Sequence, residues 1–198
     1  ANNIIAIIEP DDKNARILLD EGKIDALLEV SFDDIMSFSK NNSSLNGKDK
    51  LLKLNQFPYF SAVFLAFNAT DKIFNDQKAR LAIALALDRA QFPLALKAGE
   101  VPATSFIPQG MLGFDAGSNM KFNSSKARDI ANESLLLKSP DPLPVQILLP
   151  AGRLQAAAEI IKDSIERYLG VRVILNVRPP AEFNSQLKSK QFQIVLNQ

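Results

Sequence analysis

The chain has 198 residues, 46% hydrophobic and 23% charged, and its 23 Lys and Arg against 22 Asp and Glu leave a formal charge of +1. That composition suits a globular unit with room for a sizeable core, and the charge balance gives no electrostatic reason to expect nucleic acid or an anionic membrane as a partner. With no His and no Cys, imidazole acid–base catalysis, thiolate nucleophiles and Cys/His zinc cages are excluded, which leaves carboxylate, Lys, Tyr or hydroxyl chemistry, or none.

In chain order, Ile4 to Ile8 reads as a buried strand closed by Glu9-Pro10. Asp11 or Asp12 then caps a helix to about Glu21, with Gly22 as its stop, and Ile24 to Val30 makes a second strand. Ser31-Phe32-Asp33-Asp34 has capping-box spacing, which predicts a helix from Phe32 to about Ser39, followed by a polar loop from Asn41 to Gly47. Leu51 to Asn55 and Ser61 to Asn68 read as strands on either side of Pro58. Asn75-Asp76 starts the strongest helix signal, Gln77 to Asp88, and a second helix covers about Gln91 to Lys97 before Gly99.

Glu100 to Asn119 is punctuated by Pro and Gly without a clear period. It is expected to lie on the body as an ordered loop, since Phe106, Ile107, Met111, Leu112 and Phe114 are costly to leave in water. Ser124 or Ser125 caps a helix to about Leu137; Val145 to Leu149 is a strand; Leu154 to Leu169 is an amphipathic helix ending at Gly170; Val171 to Val177 is a strand. Beyond Pro179-Pro180, a short helix from Ala181 to Lys188 precedes a strand from Phe192 to Asn197. Strand-length apolar runs alternating with helical periods predict an α/β fold, read as one unit over residues 1–198. The last strand is followed by a single residue, without turn or cap, so the chain is expected to be a segment of something longer.

Motifs for chemistry are sparse. Neither G-x-G-x-x-G nor G-x-x-x-x-G-K-[ST] occurs. The S-x-x-K spacing appears at Ser37/Lys40, Ser118/Lys121 and Ser185/Lys188 without S-D-N or K-T-G, as expected by chance in a Ser- and Lys-rich chain. The acidic pairs Asp11/Asp12, Asp20/Glu21 and Asp33/Asp34 fall at helix ends, where they read as dipole or cap partners rather than a catalytic dyad. No catalytic residue, metal ligand or cofactor is assigned.

One distributed pattern stands out. Phe67-Asn68, Phe74-Asn75-Asp76, Arg80, Ala82, Asp88-Arg89, Gly99, Pro102-Ala103 and Pro108 to Gly110 occur in order. They are flanked by Gly22-Lys23-Ile24-Asp25 and by Leu169-Gly170-Val171-Arg172-Val173, which Phe183, Leu187 and Phe192 follow. This pattern resembles the extracytoplasmic solute-binding proteins of family 5, the oligopeptide- and dipeptide-binding class of ABC importers. Lys78 stands where family members usually carry Arg, and the bidentate geometry of an Arg is lost there.

The resemblance implies the C-terminal lobe of a periplasmic binding protein-like II fold, a mixed sheet with flanking helices. It also implies a partner N-terminal lobe, a peptide or other small solute between the lobes, ABC permease subunits, and a periplasmic or extracytoplasmic location. Nickel complexes, heme, sugars or a sensing role are alternatives within the family. Phe74, Asp76, Arg80, Asp88, Arg89 and Pro102 are expected to build the lobe: Asp76 as a helix cap worth about 1 kcal/mol, Arg80 as its ion-pair partner at i+4. The residues expected to face the cleft are Phe64, Phe67 and Asn68, with Asn197 and Gln198 at the far end of the chain, because ligands collect at strand ends of α/β sheets and an extended peptide can bond main chain there. For Phe64 and Phe67, core packing is the stronger of the two readings.

Overall fold

Val145 to Pro150 runs Val-Gln-Ile-Leu-Leu-Pro, a nearly continuous apolar stretch of the kind found in strands covered on both faces. The computed structural model, which describes residues 3–28, 30, 35, 53–55, 60–97, 99–116, 120–138 and 144–198, places it inside a four-stranded sheet. The chain separates into two compact units, Ala1–Pro58 and Tyr59–Gln198.

In the first unit the described regular element is α1 (Asp12–Asp20). Asp11 caps it, its carboxylate accepting from the backbone N–H groups of Lys13 and Asn14 at 2.8 and 3.2 Å. Arg16 meets Asp20 one turn on at 3.0 Å. Gly22, at φ +71°, lets the chain leave the helix as expected. The two expected strands are absent: Ile4 to Ile8 is irregular, with Ile4, Ile5 and Ile8 at 96%, 85% and 95% exposure, and the described part of Ile24 to Val30 is irregular too. A β-rich run becomes a strand only where a neighbour takes up its N–H and C=O groups, and no such pairing exists here among the described residues. The helix expected from Phe32 to Ser39 falls outside the described residues except for Ile35, which is helical, and the loop at 41–47 falls outside them entirely. Of the strand expected at Leu51 to Asn55, residues 53–55 are described and are irregular.

The second unit contains β1 (Phe64–Phe67), α2 (Gln77–Ala86), a 3-10 turn (Arg89–Gln91) running into α3 (Phe92–Leu96), α4 (Ser124–Asn132), β2 (Val145–Pro150), α5 (Gln155–Leu169), β3 (Val173–Arg178), α6 (Pro180–Lys188) and β4 (Ile194–Asn197). The sheet order is β1-β4-β2-β3; β1 is antiparallel to β4, and the other neighbours are parallel. β2-α5-β3 is thus a β-α-β crossover, which parallel pairing requires.

The two faces of the sheet are covered unequally. Val145, Ile147 and Leu149 of β2 and Ile194 and Leu196 of β4 join the larger core together with buried residues of α2, α4 and α5. Helix α5 supplies Ala157, Ala158, Ile161, Ile165 and Leu169 at the spacing of a single helix face. On the other face Leu148 and Val195 meet Phe183 of α6. Helix α4 ends at Asn132 rather than Leu137, and its cap is Asn123 rather than a serine. The reason is the wholly buried Ser134, whose hydroxyl donates to the Ala131 carbonyl at 2.8 Å and accepts from the Leu136 N–H at 3.2 Å, turning the chain out of the helix.

The stretch after Gly99 departs from expectation. It is irregular, but Phe106, Met111 and Leu112 are exposed, and only Ile107 and Phe114 are partly buried. Its Pro and Gly punctuation leaves no repeat that would put all the apolar side chains on one side.

Gly170 ends α5 at φ +69°, and a Cβ there would lie 2.8 Å from Nη1 of Arg128, the guanidinium that donates to the Leu169 carbonyl. Gly170→Ala is therefore expected to destabilise the second unit by about 1 to 2 kcal/mol in equilibrium denaturation, through left-handed backbone strain and loss of that bond. An unchanged midpoint would mean that the helix end relaxes freely.

Candidate functional site at the carboxyl edge of the sheet

The three parallel strands β4, β2 and β3 end along one edge of the sheet, the place where open α/β sheets gather ligands. Phe64 pairs with Asn197 and Pro150 with Arg178, and the Leu148–Val195 pairing brings Asn197 alongside Pro150 two residues later. A transverse row therefore runs Phe64, Asn197, Pro150, Arg178. Strand alternation sets its face: Leu65, Leu196, Leu149 and Val177 belong to the larger core, so the row points to the opposite side, past the cover that α6 gives to Leu148 and Val195. Phe106 meets Phe64 edge-on, ring centroids 5.6 Å apart at 66°. Beyond the strand ends, Arg153 donates to Glu100 and to the Gln198 side chain, each at 2.5 Å.

Of the five cleft-facing candidates, the structure brings together Phe64, Asn197 and Gln198. Phe67 and Asn68 lie at the opposite end of β1. Phe67 packs into the larger core, its ring 5.3 Å from that of Phe74. The Asn68 carboxamide is engaged within the fold: Nδ2 donates to the carbonyls of Phe192 and Lys190 at 3.0 and 3.3 Å, and Oδ1 accepts from the backbone N–H and hydroxyl of Thr70 at 3.1 and 2.8 Å.

Most of the signature residues make contacts within the fold. Phe74 is wholly buried. Asp88 caps the 3-10 turn, accepting from the Ala90 N–H at 3.1 Å, and Arg89 donates to the Met120 carbonyl. Pro102 lines a shallow hollow with Asp88, Arg89 and Met120. Asp76 caps α2 by accepting from the Lys78 N–H at 2.9 Å and uses its second oxygen on the Leu135 N–H, 59 residues away, at 2.8 Å. Arg80 departs from expectation. Its Nη1 donates to the Phe74 carbonyl at 2.6 Å and to that of Asn75 at 3.2 Å, because Asp76 already spends both oxygens on backbone amides. Lys78 pairs with Glu133 at 2.8 Å on the surface.

These contacts set the electrostatics. The Leu135 N–H, followed by that of Lys78, holds the Asp76 carboxyl below its ordinary value. The hydrogen bond and positive charge of Lys78 lower Glu133, and Glu133 raises Lys78 in return. Among the described residues no group of three or more Asp or Glu is gathered to hold a metal, and no helix is long and apolar enough to cross a membrane.

Glu100, Phe106, Arg153 and Arg178 escaped the sequence reading as site residues. Arg178 alone carried a usable signal, a charged residue at a strand's carboxyl end just before Pro179-Pro180. The Glu100–Arg153 pair spans 53 residues and left no local trace.

Solved structures show the same fold over nearly all of the chain. HbpA2 from Haemophilus parasuis is 21% identical, with a TM-score of 0.74 over 96% of this chain and 37% of that one. The murein tripeptide binding protein MppA of Escherichia coli is 20% identical at 0.70, over 93% of this chain and 36% of its own. NikA from Brucella suis, solved in complex with Fe(III)-EDTA, is 18% identical at 0.70, over 96% and 40%. The chain thus spans about two-fifths or less of the solved proteins it resembles, and its fold is that of type II periplasmic binding proteins. No curated protein matches the sequence. The profile of the bacterial extracellular solute-binding proteins, family 5 Middle, matches residues 2–198. With that match over nearly the whole chain, the chain belongs to family 5 of the bacterial extracellular solute-binding proteins.

Proposed function

We propose that the chain forms one lobe of an extracytoplasmic solute-binding protein that closes on a small solute, of peptide type, and hands it to the permease of an ABC importer. The observation that carries this reading is the row of Phe64, Asn197, Pro150 and Arg178 across the carboxyl edge of the sheet, with Gln198 just beyond it, in a family 5 chain. An open edge of this kind supplies main-chain and amide groups for an extended peptide and aromatic surface for its side chains. Such an edge is half of an enclosure, so affinity depends on a second lobe that buries the rest of the solute. No covalent chemistry is assigned to the edge. Glu100 at this edge accepts from Arg153.

The test is a thermal-shift experiment on the complete protein that carries this chain, with mixtures of short peptides. Saturation at about 100 times the dissociation constant stabilises the folded state by about 2.7 kcal/mol and raises the melting temperature. A rise with peptides supports the reading. A rise with Fe(III)-EDTA alone replaces the peptide by a chelate, as in the NikA complex, and no rise with either contradicts solute binding.

A further inference from the structure

Glu100 opens the irregular segment that follows Gly99, and Arg153, in the turn between β2 and α5, donates to it at 2.5 Å. The two side chains are 22% and 38% exposed, so water and salt screen the pair less than one on the open surface. The second terminal nitrogen of Arg153 donates to the Gln198 side chain, also at 2.5 Å. Gln198 follows Asn197, Asn197 pairs with Phe64 across β4 and β1, and the Phe64 ring meets that of Phe106, further along the segment that Glu100 opens. The contacts thus close a circuit, and the Glu100 ion pair is its charged link.

The rest of the segment is held lightly. Among the described residues, the hydrogen bonds of residues 101–114 stay within that stretch: the Ile107 N–H donates to the Ser105 hydroxyl at 3.3 Å, that of Met111 to the Pro108 carbonyl at 3.2 Å and that of Phe114 to the Met111 carbonyl at 3.1 Å. None of its side chains joins either core cluster, and Val101, Phe106 and Leu112 are 79%, 73% and 102% exposed. Besides the Phe64–Phe106 contact, its backbone passes close to Phe60 at Gly110, where a Cβ would lie 3.1 Å from the ring. A stretch with so few buried contacts opens at little cost, so one partly shielded ion pair carries much of what keeps it closed. Resting on the solute-binding reading above, we propose that the Glu100–Arg153 pair is a latch that positions residues 101–114 and so keeps Phe106 against Phe64 at the solute edge. Glu100 and Arg153 are positioning residues and do not touch the solute. With the latch open, the fraction of molecules with a complete edge falls, and apparent affinity falls with it.

The experiment uses the complete protein that carries this chain, as wild type, Glu100→Gln, and the exchanged pair Glu100→Arg with Arg153→Glu. Chymotrypsin cleavage within residues 101–114 is timed against the free peptide of the same sequence at low and at about 1 M salt, and a pool of tetrapeptides is titrated by thermal shift. At an unchanged unliganded melting temperature, Glu100→Gln is expected to be cleaved about three- to fivefold faster at low salt and to bind the pool about threefold more weakly. High salt should speed cleavage of wild type and leave Glu100→Gln unchanged, and the exchanged pair should recover both the slow cleavage and the affinity. If Glu100→Gln fails to fold, Arg153→Lys, which keeps the charge without the planar fork, carries the test and is expected to show the same changes in smaller measure. Cleavage unaltered by Glu100→Gln, or not recovered by the exchanged pair, overturns the latch. Faster cleavage at unchanged affinity overturns its role at the solute edge alone. Absence of binding by wild type overturns that role together with the peptide reading beneath it.

Discussion

An alanine at position 74 is expected to lower the stability of the second unit by about 3 to 5 kcal/mol, the range for deleting a buried aromatic ring. Phe74 is wholly inaccessible, its ring is tilted against that of Phe67, and it belongs to the same cluster as Ala79, Ile83 and Ala86 of α2. It also fixes the entry to α2, since its carbonyl accepts from Arg80. The loss can be read from urea unfolding of the second unit's spectroscopic signal with the slope held constant. The fully exposed Leu112 serves as control, and Leu112→Ser should stay within about 0.5 kcal/mol. A Phe74→Ala midpoint no lower than that of the control would mean that the core closes over the gap.

Asp76→Ala is expected to cost about 1.5 to 2 kcal/mol. Loss of the cap contributes about 1 kcal/mol, and loss of the bond to the exposed Leu135 N–H adds about 0.5 to 1 kcal/mol. Asp76→Asn keeps one acceptor oxygen and is expected to lose about half as much. A cost near 1 kcal/mol for Asp76→Ala would show that Leu135 finds water instead.

Asp76 also predicts a pH dependence. Its carboxyl, like that of Glu133, is held below its ordinary value when folded, so its contribution is present above the unfolded carboxylate range and is lost as pH falls through the folded value. Lys78 works in the other sense. Raised by Glu133, its contribution is present below the ordinary lysine range and is lost as pH rises through the folded value. Asp76→Ala should reduce the acid limb, with Glu133 keeping its share, and change the alkaline limb less, since Glu133 is the main cause of the Lys78 shift; urea midpoints across pH would reveal both.

How much of this was legible in the sequence depended on whether the cause was local. Helix α5 was readable because its apolar residues repeat on one face and Gly170 marks its end. The Asp76 cap was readable because its partner is two residues away, whereas the Leu135 bond was not, because 59 residues separate the two. Ile4 to Ile8 misled for the complementary reason: β propensity describes a surface suited to pairing, and the pairing itself is decided elsewhere in the chain. Arg80 misled more narrowly, since i+4 spacing identifies a possible ion pair without showing that the carboxylate is already occupied.

At the candidate site the division is similar. Phe64 and Asn197 were singled out from their places at strand ends, and their pairing in the sheet is what joins them. Phe67 and Asn68 are near neighbours of Phe64 in sequence. Strand alternation turns Phe67 into the core, and the length of β1 carries Asn68 to the opposite edge.

The α/β character, the positions of the helices, the Asp11 and Asp76 caps, the strands of the second unit and the family pattern were legible in the sequence, because each arises from side chains a few residues apart. The sheet order, the sharing of one edge by particular strand ends, and the joint hold of Glu100 and Gln198 on Arg153 were settled by tertiary contacts alone. Those facts depend on contacts between residues far apart in the chain, and short-range periodicity carries no information about them.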